Sequence, residues 1–335
     1  MPEPRSSEPY RLRLGEAAAY HARWTGLPTG PSAPQRYNWI LRRAPLSTVS
    51  GDLPLWGLMG IERAPRVDPD LIVFALLRVG VCSGGITRWL DSADEMAVEY
   101  LPWHSRHLLT WSDGLALTAS CTAWENRGCA FHFSGKLPAD AELVLELQGL
   151  GLTGQGRSSS FVSPEQVRWQ ERSLHIDERQ IVLESNSSKH RVSARVSSGV
   201  WEEAGPVLLC RTSIGRQAVE LVIATQGTEG FPGYAEAEAN TREHYLQVLR
   251  DCRSHSPDPV LDAALEAAVV TLDQVHDGPL WLEGLTRWNT YWADNYQIGA
   301  CVAMGRFDEA REALLALAEA VRGRNFHRRR LGLGR

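Results

Sequence analysis

The sequence predicts an α+β chain of more than one domain. An antiparallel β-sandwich is expected over residues 1–226, a linker with a helix over 227–256, and a helical segment over 257–335. Three observations carry this. Between about 70 and 225, short apolar or alternating runs recur between turn signals, with no helical periodicity among them. Gly227-Thr228-Glu229-Gly230-Phe231-Pro232-Gly233 then breaks the series. Beyond it the chain turns rich in Ala, Leu and Glu at helical spacing.

Residues 1–60 are rich in Pro, Ser, Arg and Gly, with turns at Pro28-Thr29-Gly30-Pro31 and Ser50-Gly51-Asp52. They predict irregular chain with a few short strands. His107-Leu108-Leu109-Thr110-Trp111 and Leu115-Ala116-Leu117-Thr118-Ala119-Ser120 flank Ser112-Asp113-Gly114, a strong hairpin signal. Cys129-Ala130-Phe131-His132-Phe133 and Glu142-Leu143-Val144-Leu145-Glu146-Leu147 alternate at period two. Ser173 to Ile176, Gln180 to Leu183, Arg191 to Val196, Pro206 to Cys210 and Val219 to Ala224 continue the strand series. So many strands without intervening helices predict a sandwich.

Ala237 to Arg250 reads as a helix with Tyr245, Val248 and Leu249 on its apolar side. A second helix is expected over Val260 to Val275, its stripe formed by Leu261, Leu265, Ala268 and Leu272. A third starts near Asp308, expected as its cap, and buries Leu314, Leu317, Ala318 and Val321 before Gly323 stops it. No internal repeat is visible.

Composition excludes several functions. A net charge of −5 and the absence of a long basic run argue against nucleic acid as the main partner. The basic cluster His327-Arg328-Arg329-Arg330 reads as a solvated tail. The longest apolar run, Leu71 to Leu77, meets Arg78 far short of the ~20 residues of a membrane span. Met1-Pro2-Glu3-Pro4-Arg5 lacks the apolar core of a signal peptide, so no membrane association and a cytoplasmic location are expected.

The six cysteines show no CxxC spacing and read as buried reduced thiols, although Cys121 and Cys129 would face each other across a hairpin in an exported chain. His104 and His107 beside Trp103 lie at i,i+3 on a strand, which puts them on opposite faces, so no metal is expected. Gly149 to Gly156 lacks the Gly-Lys-Ser/Thr ending of a phosphate loop, and no cofactor is expected.

The stretch from Trp281 to Tyr296 stands apart. Five of its 16 residues are Trp or Tyr, in a chain that is 8% aromatic, and Glu283, Arg287, Asn289, Asp294 and Asn295 lie among them. Aromatic rings stack on the C–H faces of sugars, and carboxylates accept bonds from adjacent hydroxyls, so a carbohydrate is the expected ligand. Glu283 and Asp294 are the best-placed acids of the segment.

Three ordered motifs accompany this segment. Pro257-Asp258-Pro259-Val260-Leu261-Asp262-Ala263-Ala264-Leu265 resembles the Pro-Asp-Pro-x-Leu-Asp-x-Ala-Leu opening of the catalytic barrel of the six-hairpin glycosidases. Tyr291-Trp292-Ala293-Asp294 resembles the Trp-x-Arg-Asp element of glucoamylase-like and debranching-type members, with Ala293 where the family has arginine. Gly305-Arg306-Phe307-Asp308-Glu309-Ala310-Arg311 resembles the Gly-Arg-x-x-Glu-Ala-Arg turn that follows it.

The resemblance implies a β-sandwich followed by an (α/α)6 toroid and glycoside hydrolysis, by inversion, of an oligosaccharide or α-glucoside. It implies Asp294 as a substrate-binding carboxylate, with Trp292 and Trp288 shaping the inner sugar subsite. Such a toroid needs on the order of 350 residues. Residues 257–335 hold only the start of one. The general acid and base come from later loops in the resembling families, so neither is assigned. The composition of Arg322 to Arg335 reads as a truncated or frameshifted end, and uncovered apolar helix faces are expected to promote association. The alternative is a non-catalytic carbohydrate-binding or accessory protein using sandwich tryptophans such as Trp111, Trp124 and Trp169.

Overall fold

The computed structural model describes residues 10–13, 39–40, 46–50, 55–61, 72–101, 103–124, 128–153, 172–185, 191–205, 207–224, 228–230, 232–251, 256–274, 276–277, 280–281 and 291–322. The chain divides into two compact units, Met1–Glu243 and His244–Arg335.

The first unit holds 17 described strands. They are β1 (Tyr10–Arg13), β2 (Trp39–Ile40), β3 (Leu46–Ser50), β4 (Leu55–Ile61), β5 (Ile72–Ser83), β6 (Ile86–Trp89), β7 (Glu95–Leu101), β8 (His104–Thr110) and β9 (Ala116–Trp124). There follow β10 (Gly128–Lys136), β11 (Glu142–Thr153), β12 (Arg172–Asp177), β13 (Gln180–Ser185), β14 (Arg191–Val196), β15 (Val200–Ala204), β16 (Val207–Ser213) and β17 (Val219–Ala224). One sheet runs β1-β7-β8-β9-β10-β17-β14-β13-β12; the other runs β15-β16-β11-β5-β4-β3-β2, with β6 paired to β5. All the pairings are antiparallel.

Period-two alternation places the core between the sheets. Leu109, Leu117, Ala119, Cys121, Phe131, Phe133, Leu221 and Ile223 of the first sheet share one buried cluster with Leu77, Val79, Val81, Leu143, Leu145, Leu208 and Cys210 of the second. The two sheets therefore pack face to face over a shared apolar interior. The Asp113-Gly114 pair does make the β8–β9 turn. Gly114 adopts φ +85°, which a side chain disfavours, and its N–H donates to Trp111 O at 2.9 Å. Cys121 and Cys129 both point into the core, and their thiols bond to each other, not to solvent. Burial, then the Cys121 contact, drives the Cys129 thiol well above its ordinary value, so Cys129 is a poor nucleophile.

Four helices follow: α1 (Tyr234–Asp251), α2 (Pro259–Gln274), α3 (Tyr291–Ala303) and α4 (Phe307–Arg322). A two-residue pairing of β18 (His276–Asp277) with β19 (Leu280–Trp281) separates α2 from α3. α1 begins three residues before the expected Ala237, because the Gly233 carbonyl accepts the first helical bond, from Ala237 N–H at 3.1 Å. The Glu220 carboxylate accepts the free Tyr234 N–H at 3.3 Å, where the helix end favours negative charge.

The helical unit departs from the sequence reading in three ways. α3 opens at Tyr291, inside the aromatic segment, where no separate helix was expected. α4 is capped by the Arg306 carbonyl, not by Asp308, which lies inside its first turn. The buried stripes also differ in part. α2 buries Val269, Val270, Leu272 and Asp273, while Leu261, Leu265 and Ala268 are exposed. α4 buries Ala310 and Ala313 with Leu317 half-buried against the same core, as expected of Leu317, while Leu314 and Ala318 are exposed. Both helices are apolar on more than one side, so periodicity alone does not pick the face that packs. Val321 and Gly323 lie outside the residues whose side chains are described.

Candidate functional site

The start of the helical unit explains the Pro-Asp-Pro motif. Asp258 caps α2, its carbonyl accepting from Asp262 N–H at 3.2 Å. Pro259 takes the first helical position, where no N–H is needed. The Asp262 carboxylate reaches back to accept from Ser256 N–H at 2.9 Å, and Ser256 Oγ accepts from Asp258 N–H at 3.1 Å. These residue types at this spacing build a helix entrance.

The chain then forms the β18–β19 pair, with His276 opposite Trp281. Their rings lie 4.9 Å apart, tilted by 40°. Trp281 is only 2% exposed and packs in the core of the unit with Leu272, Ile298, Cys301, Ala310 and Ala313. The first tryptophan of the aromatic segment is therefore an anchor, not a sugar platform. Glu283, Arg287 and Trp288 lie outside the described residues.

The segment resumes at α3. Trp292 and Asp294 are the second and fourth residues of this helix, so both belong to its opening turn; their side chains lie outside the described set. A carboxylate in a first turn faces the positive end of the helix dipole. Two residues further on, Tyr296 is 73% exposed. It occupies the position one turn beyond Trp292, on the same side of the helix. Tyr296 was not singled out from the sequence, although its place at the end of the aromatic run was the available signal.

The far end of α3 explains the Gly-Arg-x-x-Glu motif. Gly305 takes φ +75°, its N–H donates to Val302 O at 3.2 Å, and Arg306 N–H donates to Cys301 O at 2.8 Å. These paired bonds are a Schellman stop, which favours glycine at the left-handed position. Arg306 Nη2 donates to Glu309 Oε1 at 2.7 Å and to Asp273 Oδ1 at 3.3 Å. His244 Nε2 donates to Asp273 Oδ2 at 2.8 Å.

Asp273 is fully buried, so its charge is held by two donors from separate elements. Burial opposes the charge on Arg306, but the bond and charge of Glu309 and the charge of Asp273 outweigh it and raise the guanidinium's pKa. Burial alone lifts the Glu309 pKa, yet the Arg306 hydrogen bond and charge bring it below its usual value. The sequence reading missed this His244–Asp273–Arg306–Glu309 network, although the Gly305-Arg306 motif marked one end of it.

In the sandwich, the two histidines divide as their spacing requires. His104 bonds Glu238 of α1, whereas His107 shares the alternation of Leu109 and is buried. Among the described residues, no three His, Cys, Asp or Glu side chains gather in a metal-binding arrangement. No described helix is long and apolar enough to cross a membrane. Trp111 is 6% exposed within the sandwich core and offers no binding face; the Trp124 side chain and Trp169 lie outside the described set.

No protein-family profile matches the chain, and no curated protein matches its sequence. Among solved structures, the chain is similar to a family GH92 inverting mannosidase from Bacteroides thetaiotaomicron, with 8% identity and a TM-score of 0.45. The match covers 76% of this chain and 38% of that one, so the chain spans well under half the length of the mannosidase.

Proposed function

We propose that the chain is a carbohydrate-active protein of the glycoside-hydrolase type, with its sugar site in the segment from Trp281 to Tyr296. Asp294 is the carboxylate that accepts sugar hydroxyls, Trp292 and Trp288 shape the inner subsite, and Glu283 and Arg287 supply further polar contacts. The observation behind this reading is the split of the aromatic run. Trp281 is buried as an anchor, while Tyr296 stands exposed two residues beyond Asp294 in the opening turns of α3. A rigid helix start flanked by an exposed ring suits a ligand with alternating apolar and hydroxylated faces.

In the same reading, residues 257–335 open an (α/α)6 toroid and the protein is cytoplasmic. The substrate is an oligosaccharide or α-glucoside hydrolysed by inversion. Inversion needs two carboxyl groups ~6.5–9.5 Å apart, one as general acid and one activating water. In this reading the described chain contributes binding and orientation, and the acid and base belong to later loops of the family's barrel.

Calorimetric titration with a panel of α-linked glucose oligosaccharides tests the site. Asp294→Ala is expected to abolish binding while the thermal transition of the chain is kept. Full binding in that variant would move the ligand to the sandwich and support the non-catalytic accessory reading.

A further inference from the structure

The outer side of the first sheet, away from the sandwich core, carries a cluster that neither the core nor the sugar site uses. On β8, β9 and β10 it consists of His104, Arg106, Ser120, Thr122 and His132; Glu238 and Tyr234 of α1 lie against it. Small residues make close approach possible, since Ala130, Val222 and Ala224 pack on Tyr234 and Ala237. Thr241 Oγ1 donates to the Ala123 carbonyl at 2.9 Å. The first ten residues of α1 thus lie on a sheet face that is polar where a core face would be apolar.

We propose that Glu238 is an acid-released latch, holding the first turns of α1 on the sandwich at neutral pH and freeing them on acidification. His104 is almost fully buried and bonds the Glu238 carboxylate through Nδ1. Arg106 Nη2 stands 3.9 Å from the same carboxylate, and Arg242 lies over the Trp103 ring at 5.7 Å. Among the described residues, the titratable or charged groups that also lie at the seam are Tyr234, on Glu238's own helix; His132, whose ring is 5.4 Å from that of Tyr234; Glu220, which holds the Tyr234 N–H; and Cys121, which acts on Tyr234.

Two guanidinium groups and the His104 ring therefore converge on one carboxylate at the helix–sheet seam. Burial raises the Glu238 pKa, but the His104 bond, then the charges of His104, Arg106 and Arg242, outweigh it and lower it. A carboxyl whose folded pKa is depressed stabilises above its unfolded value, and that contribution is lost as pH falls through the folded value. Protonation leaves His104 and Arg106 facing a neutral acid, so the seam loses its charge attraction and keeps only the small apolar contacts of Tyr234 and Ala237 and the Thr241 bond, while the apolar core between the sheets is untouched.

Hydrogen exchange on the full chain, expressed as protection factors between pH 7 and about pH 2.5, well below the ordinary carboxylate value, tests the latch. Protection of the 234–243 amides is expected to fall about tenfold while that of β9 and β10 holds, in keeping with one charge-assisted hydrogen bond. Glu238→Gln is expected to show the low value already at pH 7 and no further fall. His104→Gln, which keeps Arg106 and Arg242 beside the carboxylate, is expected to retain a smaller fall. An equal pH response in the wild type and either variant would overturn the proposal. So would loss of α1 protection only together with β9 and β10.

Discussion

Arg306 Nη2 meets the buried carboxylate of Asp273 at 3.3 Å, joining the last turn of α2 to the residue that caps α4. The contact spans 33 positions of sequence, and Asp273 also accepts from His244. One carboxylate with no solvent access thus ties three helical segments. The turn glycine at 305 delivers Arg306 to it, and the arginine's second partner, Glu309, sits in the first turn of α4. The motif that resembles a glycosidase signature is here the brace of a helical hairpin.

Removing either end of that brace takes one of two partners from a buried charge, leaving Asp273 with His244 or Arg306 with Glu309. Asp273→Ala or Arg306→Ala is expected to destabilise the helical unit by about 3–5 kcal/mol, the usual cost of breaking a buried pair. Denaturant titration followed by far-UV circular dichroism checks this. A loss no larger than a surface substitution would contradict the brace.

Acid weakens the same network. Arg306 depresses the Glu309 pKa in the folded state, so its contribution is present above the unfolded value of 4.5 and disappears as pH falls through the lower folded value. Thermal melts of the wild type should lose stability on going below about pH 4.5. Glu309→Gln should remove part of that slope, and an unchanged slope would show that Glu309 does not contribute.

Trp281 serves as an anchor. Trp281→Ala should cost about 3–5 kcal/mol through the cavity it leaves. Because the segment from 282 onward departs from this anchor, sugar binding should weaken together with stability. Loss of binding with unchanged stability would instead give Trp281 a direct role at the sugar.

The helical unit exposes Leu261, Leu265, Tyr296, Val302, Phe307, Leu314 and Leu315, each at least 38% accessible. Where such exposed apolar side chains lie together, they favour association. Light scattering coupled to size exclusion is expected to show concentration-dependent oligomers, reduced by Leu265→Glu with Leu314→Glu. A monodisperse monomer at all concentrations would refute this.

The sandwich was legible because its strands carry a period of two and its turns carry Gly. Phe131 and Phe133 alternate with His132, Leu143 and Leu145 with Glu142 and Glu146, and Gly114 marks the hairpin. The helices were legible as helices, but not by face. In α2 and α4, Ala and Leu occur on several sides, and tertiary packing chose Ala310 and Ala313 over Leu314. The start of α3 was hidden because Trp, Asn, Thr and Tyr are weak helix formers, and packing outweighed their propensity. The site was legible as an unusual composition between 281 and 296. Its division into a buried Trp281 and an exposed Tyr296 was not, since both are aromatic and only the fold separates them.

In the proposed function, the segment entering α3 binds sugar. A hydrogen-exchange footprint of the full chain, with and without a saturating α-linked glucose oligosaccharide, tests it most directly. Slowed exchange is expected in peptides covering residues 282–296, with the strands of both sheets unchanged. Protection confined to the sandwich, or none anywhere in the chain, would contradict it.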